Sequence, residues 1–557
     1  MGRKAWSPAA DLVIQNAKIY TVDLTVDDIK AGKNDFTVLE NGCVAAKDGK
    51  TVFVGAEAPS ALIGPGTRVI DAGGRALVPG LMDCHMHAMW AANGLMTVDL
   101  ETCKTKEDFL SRLRERAEET PKGKWIKGSK WNELLWDVPE PPTAEDLDSV
   151  STEHPIMCSR FCFHRYVANS KALEMAGVTR DTPDPPGGEI GRYPGGEPNG
   201  LMFENSAMGL IDEVIPLPTE EELVAAIEAW GRVMNSYGLT SCIDANMTFP
   251  QMRAYLQALK QGKLTYRENM MFYTDKAWGD VAYHLKRIEE MVCVTGFGSD
   301  MLKMNGVKVT YDGNNSAGTG LMRKPYEHMP ETCGYSTITA EELKEICLLS
   351  TKYNWQVGIH TTGDLGADQA IDAIEAAYEA YPGREKELRH YIIHLCVYDE
   401  DQVPRLAKWD IPVASQPSIA LLCGEQAICG EDIGNRYMVA GHLLRGGVLV
   451  GGSTDCPVVG PSPFDGFYGA VTRLSKVDGK VYNAEDRITA KDALIMWTKA
   501  SAYFSHDEDV MGSIEVGNYA DYVLLDRDVV ECPAEDIPGT KVLATVLNGK
   551  VVYESKG

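Results

Sequence analysis

Several things are missing from this chain, and each absence narrows the field. It has no CxxC pair and no dense cluster among its 14 cysteines, which excludes a small disulfide scaffold. It has no surplus of positive charge. The 54 basic residues stand against 80 acidic ones, a net of −26, and such a surface repels phosphate backbones and anionic lipid. Nucleic acid and membranes are therefore set aside as partners. No apolar run long enough for a signal peptide or a membrane span follows Arg3 and Lys4. The expected compartment is the reducing cytoplasm, with the thiols free or buried in the core. Compositional bias is missing too: 44% apolar and 24% charged residues fit an ordinary folded protein and exclude a disordered or collagen-like chain. The 557 residues are roughly three to four times the usual length of one domain, so at least two structural units are expected.

What is present falls into three stretches. The start reads as short strands: Asp11–Tyr20, a hairpin of Val44–Lys47 and Thr51–Gly55 around Asp48-Gly49, and Arg68–Asp71. Asp-Gly tolerates the positive φ that a tight hairpin turn requires. The end has the same character, with Tyr519–Asp526 and a second hairpin, Val542–Leu547 with Val551–Tyr553, around Asn548-Gly549. The two ends predict one small β domain, residues 1–75 with residues 506–557. Between them, residues 76–505 alternate strand-like runs with helices. Apolar or β-branched runs stand at Ala76–Met82, Leu239–Ile243, Met270–Tyr273, Gly306–Thr310, Gln356–His360, Tyr391–His394, Pro412–Ser415 and Val448–Val450. Capping-box spacings at Thr219/Glu222 and Thr339/Glu342 start two of the helices. Strand–helix repetition of this kind predicts a parallel sheet, and eight strands close a barrel. One interval breaks the rhythm. The chain from His87 to Leu239 is far too long for one crossover, and it is rich in aromatics, with Trp125, Trp131 and Trp136. It is expected to be an insertion of about residues 90–235 over the barrel mouth.

The strongest chemical signal is Asp83-Cys84-His85-Met86-His87, which follows the first barrel run directly. Alternate residues of an extended chain share a face, so His85 and His87 offer two imidazoles on one side, a donor pair suited to Zn²⁺. Other polar residues stand at strand ends: His360, His394 and Asp455. Lys308 lies within a predicted strand, where an unpaired ammonium is costly to bury. Parallel barrels gather catalytic groups from the carboxyl ends of several strands. The plainer alternatives are core histidines bonded to carbonyls, a helix-capping aspartate, and a lysine paired with a carboxylate such as Asp312.

The whole chain resembles the metal-dependent amidohydrolase superfamily, and in particular its YtcJ-like (amidohydrolase-3) branch. The resemblance is carried by Arg75 to His87 with its Pro79-Gly80-Leu81-Met82-Asp83 core, and by Trp125-Ile126-Lys127-Gly128 with Trp131. Asn169-Ser170-Lys171-Ala172-Leu173 and the stretch from Gly512 to Asp521 carry it further. It implies a distorted (β/α)₈ TIM barrel, a β-sandwich built from both termini, and one or two divalent ions, usually zinc. The ions would be held by His85, His87, His360 and His394, with Asp455 both binding metal and shuttling a proton. Lys308 matches a fourth-strand position at which many relatives carry a carboxylated lysine bridging two metals. The chain departs from its relatives in places. Ile393 and Cys396 replace a Glu and a Gln flanking the sixth-strand histidine, Cys162-Phe163 replaces Asp-Gly before His164, and Thr454 stands between Ser453 and Asp455.

The implied function is a hydrolase that opens a C–N bond of a small molecule (an amide, an N-substituted formamide or a cyclic amide) with metal-activated water. Asp455 is the expected proton carrier. His164 is a candidate donor to the substrate carbonyl and Trp131 a candidate pocket wall; the alternative for both is plain packing. Homodimers are common among such barrels. The competing readings are an aminohydrolase (deaminase) of a small heterocycle and a catalytically silent regulatory homologue.

Overall fold

The computed structural model describes residues 9–160, 165–274 and 279–556. They form two compact units. One comprises the chain up to Ala91 together with Ile227 onward, and the other is Ala92–Ala226.

The larger unit is built on eight parallel strands bonded in sequence order. These are Leu81–Met86, Leu239–Met247, Arg267–Tyr273, Leu302–Thr310, Gln356–Thr361, Tyr391–His394, Val413–Ser415 and Val450–Gly452. The two edges meet just past the eighth strand. The His87 N–H donates to the Cys456 carbonyl at 2.8 Å, and the Asp455 N–H to the His85 carbonyl at 3.1 Å. The sheet is thus a nearly closed, distorted (β/α)₈ barrel. Strand geometry sends successive side chains to opposite faces, and here both faces are buried. In the fourth strand Val307 and Val309 alternate with Gly306 and Lys308, and in the fifth Val357 and Ile359 alternate with Gly358 and His360, all of them buried or nearly so. The interior is packed by Met82, Cys84, Ile243, Met271, Tyr391 and Ile393 with Phe504, and the Tyr391 hydroxyl reaches Met271 Sδ at 3.0 Å. Helices follow the strands. The one over Ala340–Lys352 begins with the expected capping box, Thr339 with Glu342.

The two ends of the chain share an eight-stranded sheet. Leu12–Tyr20, Val38–Lys47, Lys50–Gly55, Arg68–Asp71 and Ala76–Pro79 come from the N-terminal part. Tyr522–Leu525, Val542–Leu547 and Lys550–Glu554 come from the C-terminal part. Residues of all these strands converge on one core around Ile14, Ile19, Leu77, Tyr522 and Val546. Both hairpin turns have the predicted positive φ: 49° and 81° at Asp48 and Gly49, and 49° and 70° at Asn548 and Gly549.

One expected strand is corrected. The run Ala76–Met82 is not a single barrel strand. Ala76–Pro79 pairs with Leu12–Tyr20 and Tyr522–Leu525 in the terminal sheet, and the barrel strand starts at Leu81. The switch falls at Gly80, where any Cβ would collide with Thr240 Oγ1. The terminal sheet therefore extends past residue 75 to Pro79.

The smaller unit carries a six-stranded sheet in the order Glu189–Arg192, Pro198–Phe203, Arg165–Ala168, Ile156–Arg160, Ile126–Trp131, Val98–Asp99. Trp131 belongs to its core, fully buried against Phe109 and Trp136 at ring separations of 6.4 and 6.1 Å. This corrects the reading of Trp131 as a substrate-binding residue: the ring is consumed by packing inside its own unit. His164 lies outside the described residues. Among the described residues no helix is long and apolar enough to cross a membrane.

Candidate metal centre

The first barrel strand delivers His85 through an irregularity. Its register against the second strand slips between the pairs Cys242–Asp83 and Asp244–Met86. This bulge lets Cys84 join the interior cluster while the next side chain, His85, also turns inward, which strict alternation forbids. His394 needs a different device. Ile393 occupies the interior, so an ideal strand would send His394 outward. A left-handed backbone at His394 (φ 75°) and Leu395 (φ 48°) brings the imidazole back. Asp455 is also left-handed, at φ 60°. Such conformations cost about 1–3 kcal/mol each in a non-glycine residue and gather at functional sites.

These devices produce a convergence. Asp455 Oδ1 lies 3.2 Å from His85 Nε2 and 3.3 Å from His87 Nε2. A ligand atom from each of His85, His394 and Asp455 lies within 4.8 Å of the others, and all three residues are buried. The His85 ring is 5.4 Å from that of His87 and 5.2 Å from that of His394, which in turn is 4.5 Å from that of His360. Lys308 Nζ stands 3.4 Å from His85 Nε2. His360 differs in one respect. Its Nε2 lies 3.1 Å from the Gly313 carbonyl, which can only accept, so this nitrogen carries the proton and Nδ1 keeps the lone pair.

Burial sets the charge states. It lowers the imidazole of His85 to about 3 and that of His360 to about 4, and holds His394 well below the ordinary value, so all three rings are neutral donors. Burial pushes the Asp455 carboxyl up, but His85 and His87 more than reverse this and hold it well below the usual carboxylate range. Burial lowers the Lys308 ammonium to about 8, with the Asp455 charge opposing. Asp312, the suggested partner of Lys308, is engaged elsewhere. Its carboxylate accepts the backbone N–H groups of Leu321, Thr362 and Gly363, each at 2.9 Å.

The residues fit a divalent cation. Asp455 Oδ1 is buried and within reach of two imidazoles, yet none of these contacts has hydrogen-bond geometry. Neutral imidazoles together with an ionised carboxylate are the donor set that zinc takes. Neighbouring groups brace it. Asp83, fully buried and raised by burial to about 7, accepts from the His85 N–H and from both the N–H and the hydroxyl of Thr454. Asp244 accepts the Met89 N–H at 2.7 Å. The exposed Trp90 stands edge-on to His87, with ring centroids 5.5 Å apart. Sequence reasoning gave none of these three a role, although Asp83 lies in the same short motif as both histidines.

Residues 68–553 match the amidohydrolase family. The chain belongs to that family. It is 28% identical to YtcJ of Bacillus subtilis (strain 168) over 503 residues, 88% of this chain and 91% of that one. It is 27% identical to the N-substituted formamide deformylase of Arthrobacter pascens over 555 residues, 98% and 99% of the two chains. A metal-dependent hydrolase from Pyrococcus horikoshii shares the fold, with a TM-score of 0.74 at 24% identity over 94% of this chain and 99% of that one. As an amidohydrolase, the protein is an enzyme of carbon–nitrogen bonds other than peptide bonds.

Proposed function

We propose that this amidohydrolase uses zinc to hydrolyse a C–N bond of a small amide, cyclic amide or N-substituted formamide. The observation that carries the reading is the meeting of His85, His87, His394 and Asp455 at one end of the barrel. Near full-length similarity to an N-substituted formamide deformylase favours the formamide among these substrates. His85, His87, His394 and Asp455 would hold the ion, with His360 contributing Nδ1. A divalent ion bound there brings the pKa of water towards neutrality and polarises a carbonyl oxygen.

The chain's own residues do the rest. Asp455, ionised and fixed by its left-handed backbone, takes the proton of the attacking water as oxygen adds to the carbonyl carbon. It then gives that proton to the nitrogen as the C–N bond breaks. The burial of His85, His394 and Asp455 strengthens each electrostatic contact among them. Lys308, lowered to about 8 by burial, has a neutral fraction able to attack CO₂. Addition of that amine to CO₂ with loss of a proton would give a carbamate, turning a costly buried cation into an oxygen ligand for a divalent ion. Cys43, Cys84, Cys103, Cys158, Cys242 and Cys347 are buried free thiols, which supports a reducing, cytoplasmic setting.

The test is amine release from a panel of N-substituted formamides, amides and cyclic amides by zinc-loaded protein. Turnover of at least one class is expected. A zinc-replete enzyme inert towards every member would overturn the reading. ¹³C-bicarbonate labelling would reveal a carbamate resonance that disappears in Lys308→Met.

A further inference from the structure

His394 presents only one nitrogen to the centre, and the surrounding hydrogen bonds decide which one. Its Nδ1 lies 2.8 Å from Oε1 of Gln416, the residue that follows the seventh barrel strand. Gln416 is fully buried, and both hydrogens of its amide are committed. Nε2 donates to the Ala414 carbonyl at 2.9 Å and to the Ser453 hydroxyl at 2.8 Å. The Ser453 hydroxyl donates onward to the Ser415 carbonyl at 3.1 Å. Both ends of this chain are backbone carbonyls, which accept and never donate, so its direction admits no reversal. The side-chain oxygen of Gln416 must face His394, Nδ1 must carry the proton, and Nε2 must present its lone pair.

We propose that Gln416 is a positioning residue that locks His394 in its Nδ1–H tautomer and, through Ser453, ties that imidazole to the strand end carrying Asp455. The proposal rests on the metal-centre reading only for its consequence; the tautomer itself is a property of the protein without metal. Groups that hold the second nitrogen of a ligand histidine fix its ring and raise its basicity, and losing one typically costs roughly 10- to 100-fold in metal affinity.

Two substitutions separate positioning from mere bridging. Gln416→Glu keeps an acceptor opposite His394 but loses both donors to Ala414 and Ser453. Gln416→Met keeps the bulk and loses acceptor and donors alike. The first readout is ¹⁵N NMR of metal-free, histidine-labelled protein, with the His394 signal assigned by its absence in His394→Asn. The Nδ1–H pattern is expected in the parent and in Gln416→Glu, and is expected to vanish in Gln416→Met. The second readout is Zn²⁺ affinity by chelator competition. Gln416→Met is expected to bind roughly 10- to 100-fold more weakly than the parent, with Gln416→Glu close to it. An Nε2–H signal in the parent, an unchanged signal in Gln416→Met, or Gln416→Glu falling as far as Gln416→Met would overturn the proposal. A parent with the Nδ1–H pattern but no affinity for Zn²⁺ would uphold the tautomer lock and sink the metal reading instead.

Discussion

Asp455 is required to stay ionised inside a barrel, and its imidazole neighbours make this feasible. Asn at this position keeps the shape and removes the charge. Asp455→Asn is expected to lower turnover by roughly 10²- to 10⁴-fold, the usual contribution of a proton-transfer group, while the urea midpoint of the metal-free protein stays near that of the parent. A variant that retains most of its activity would show that another group carries the proton. Not every residue of the site could be read in advance. The motif from Asp83 to His87 declares itself because the donors are packed into five positions. His394 could be placed at a strand end, but its inward aim depends on two positive φ values that no residue pattern announces. Gln416 was invisible, since an amide beside a strand end acquires its role only from the carbonyls that fix its direction.

Strands and their junctions carry the next two predictions. His390 opens the sixth-strand segment and is fully buried, stacked on Tyr378. Its Nδ1 accepts the Val357 N–H at 3.0 Å, so its Nε2 donates to Thr351 Oγ1 at 2.8 Å. Burial lowers this imidazole from 6.5 to about 3. The unfolded ring takes up a proton below 6.5 and the folded ring does not, so its stabilising share is whole above pH 6.5 and drains away as pH falls towards 3. By pH 5 the loss is about 2 kcal/mol. His390→Leu lacks that share, so in urea melts its stability gap to the parent is expected to narrow by this amount between pH 7.5 and pH 5; parallel curves would refute the assignment. At the junction of the two sheets, Gly80→Val forces a side chain into Thr240. A destabilisation of about 1–3 kcal/mol is expected by the same measurement. That junction was hidden in the sequence, because Ala76–Met82 is a continuous apolar run, and a run buried on both faces does not say which sheet each half joins. The other strands of the barrel and of the terminal sheet overlap the expected runs, whereas the six strands of the smaller unit were not read in advance.

The chain as a whole consists of two units with separate cores. The smaller one gathers Phe109, Leu113, Ile126, Trp131 and Ile156 around its own six-stranded sheet. A fragment of residues 92–226 is expected to be soluble and to unfold in one cooperative step in denaturant, with tryptophan emission reporting the loss of its core. A gradual, non-cooperative change would show that it depends on the rest of the chain. The length of the interval marks an extra stretch of structure, because no single crossover needs so many residues, but its sheet order has no counterpart in the sequence, since pairing partners leave no mark on composition.

The seam of the barrel is made from the backbones of His85 and His87 bonded to those of Asp455 and Cys456. The same four residues that finish the cylinder therefore bring the first and last donors of the centre together. On a ribosome, the histidines emerge early and wait while hundreds of further residues are made. Until the eighth strand arrives the seam has no second side, so a nascent chain lacks both the joined barrel sheet and the Asp455 carboxylate that lies beside the two imidazoles.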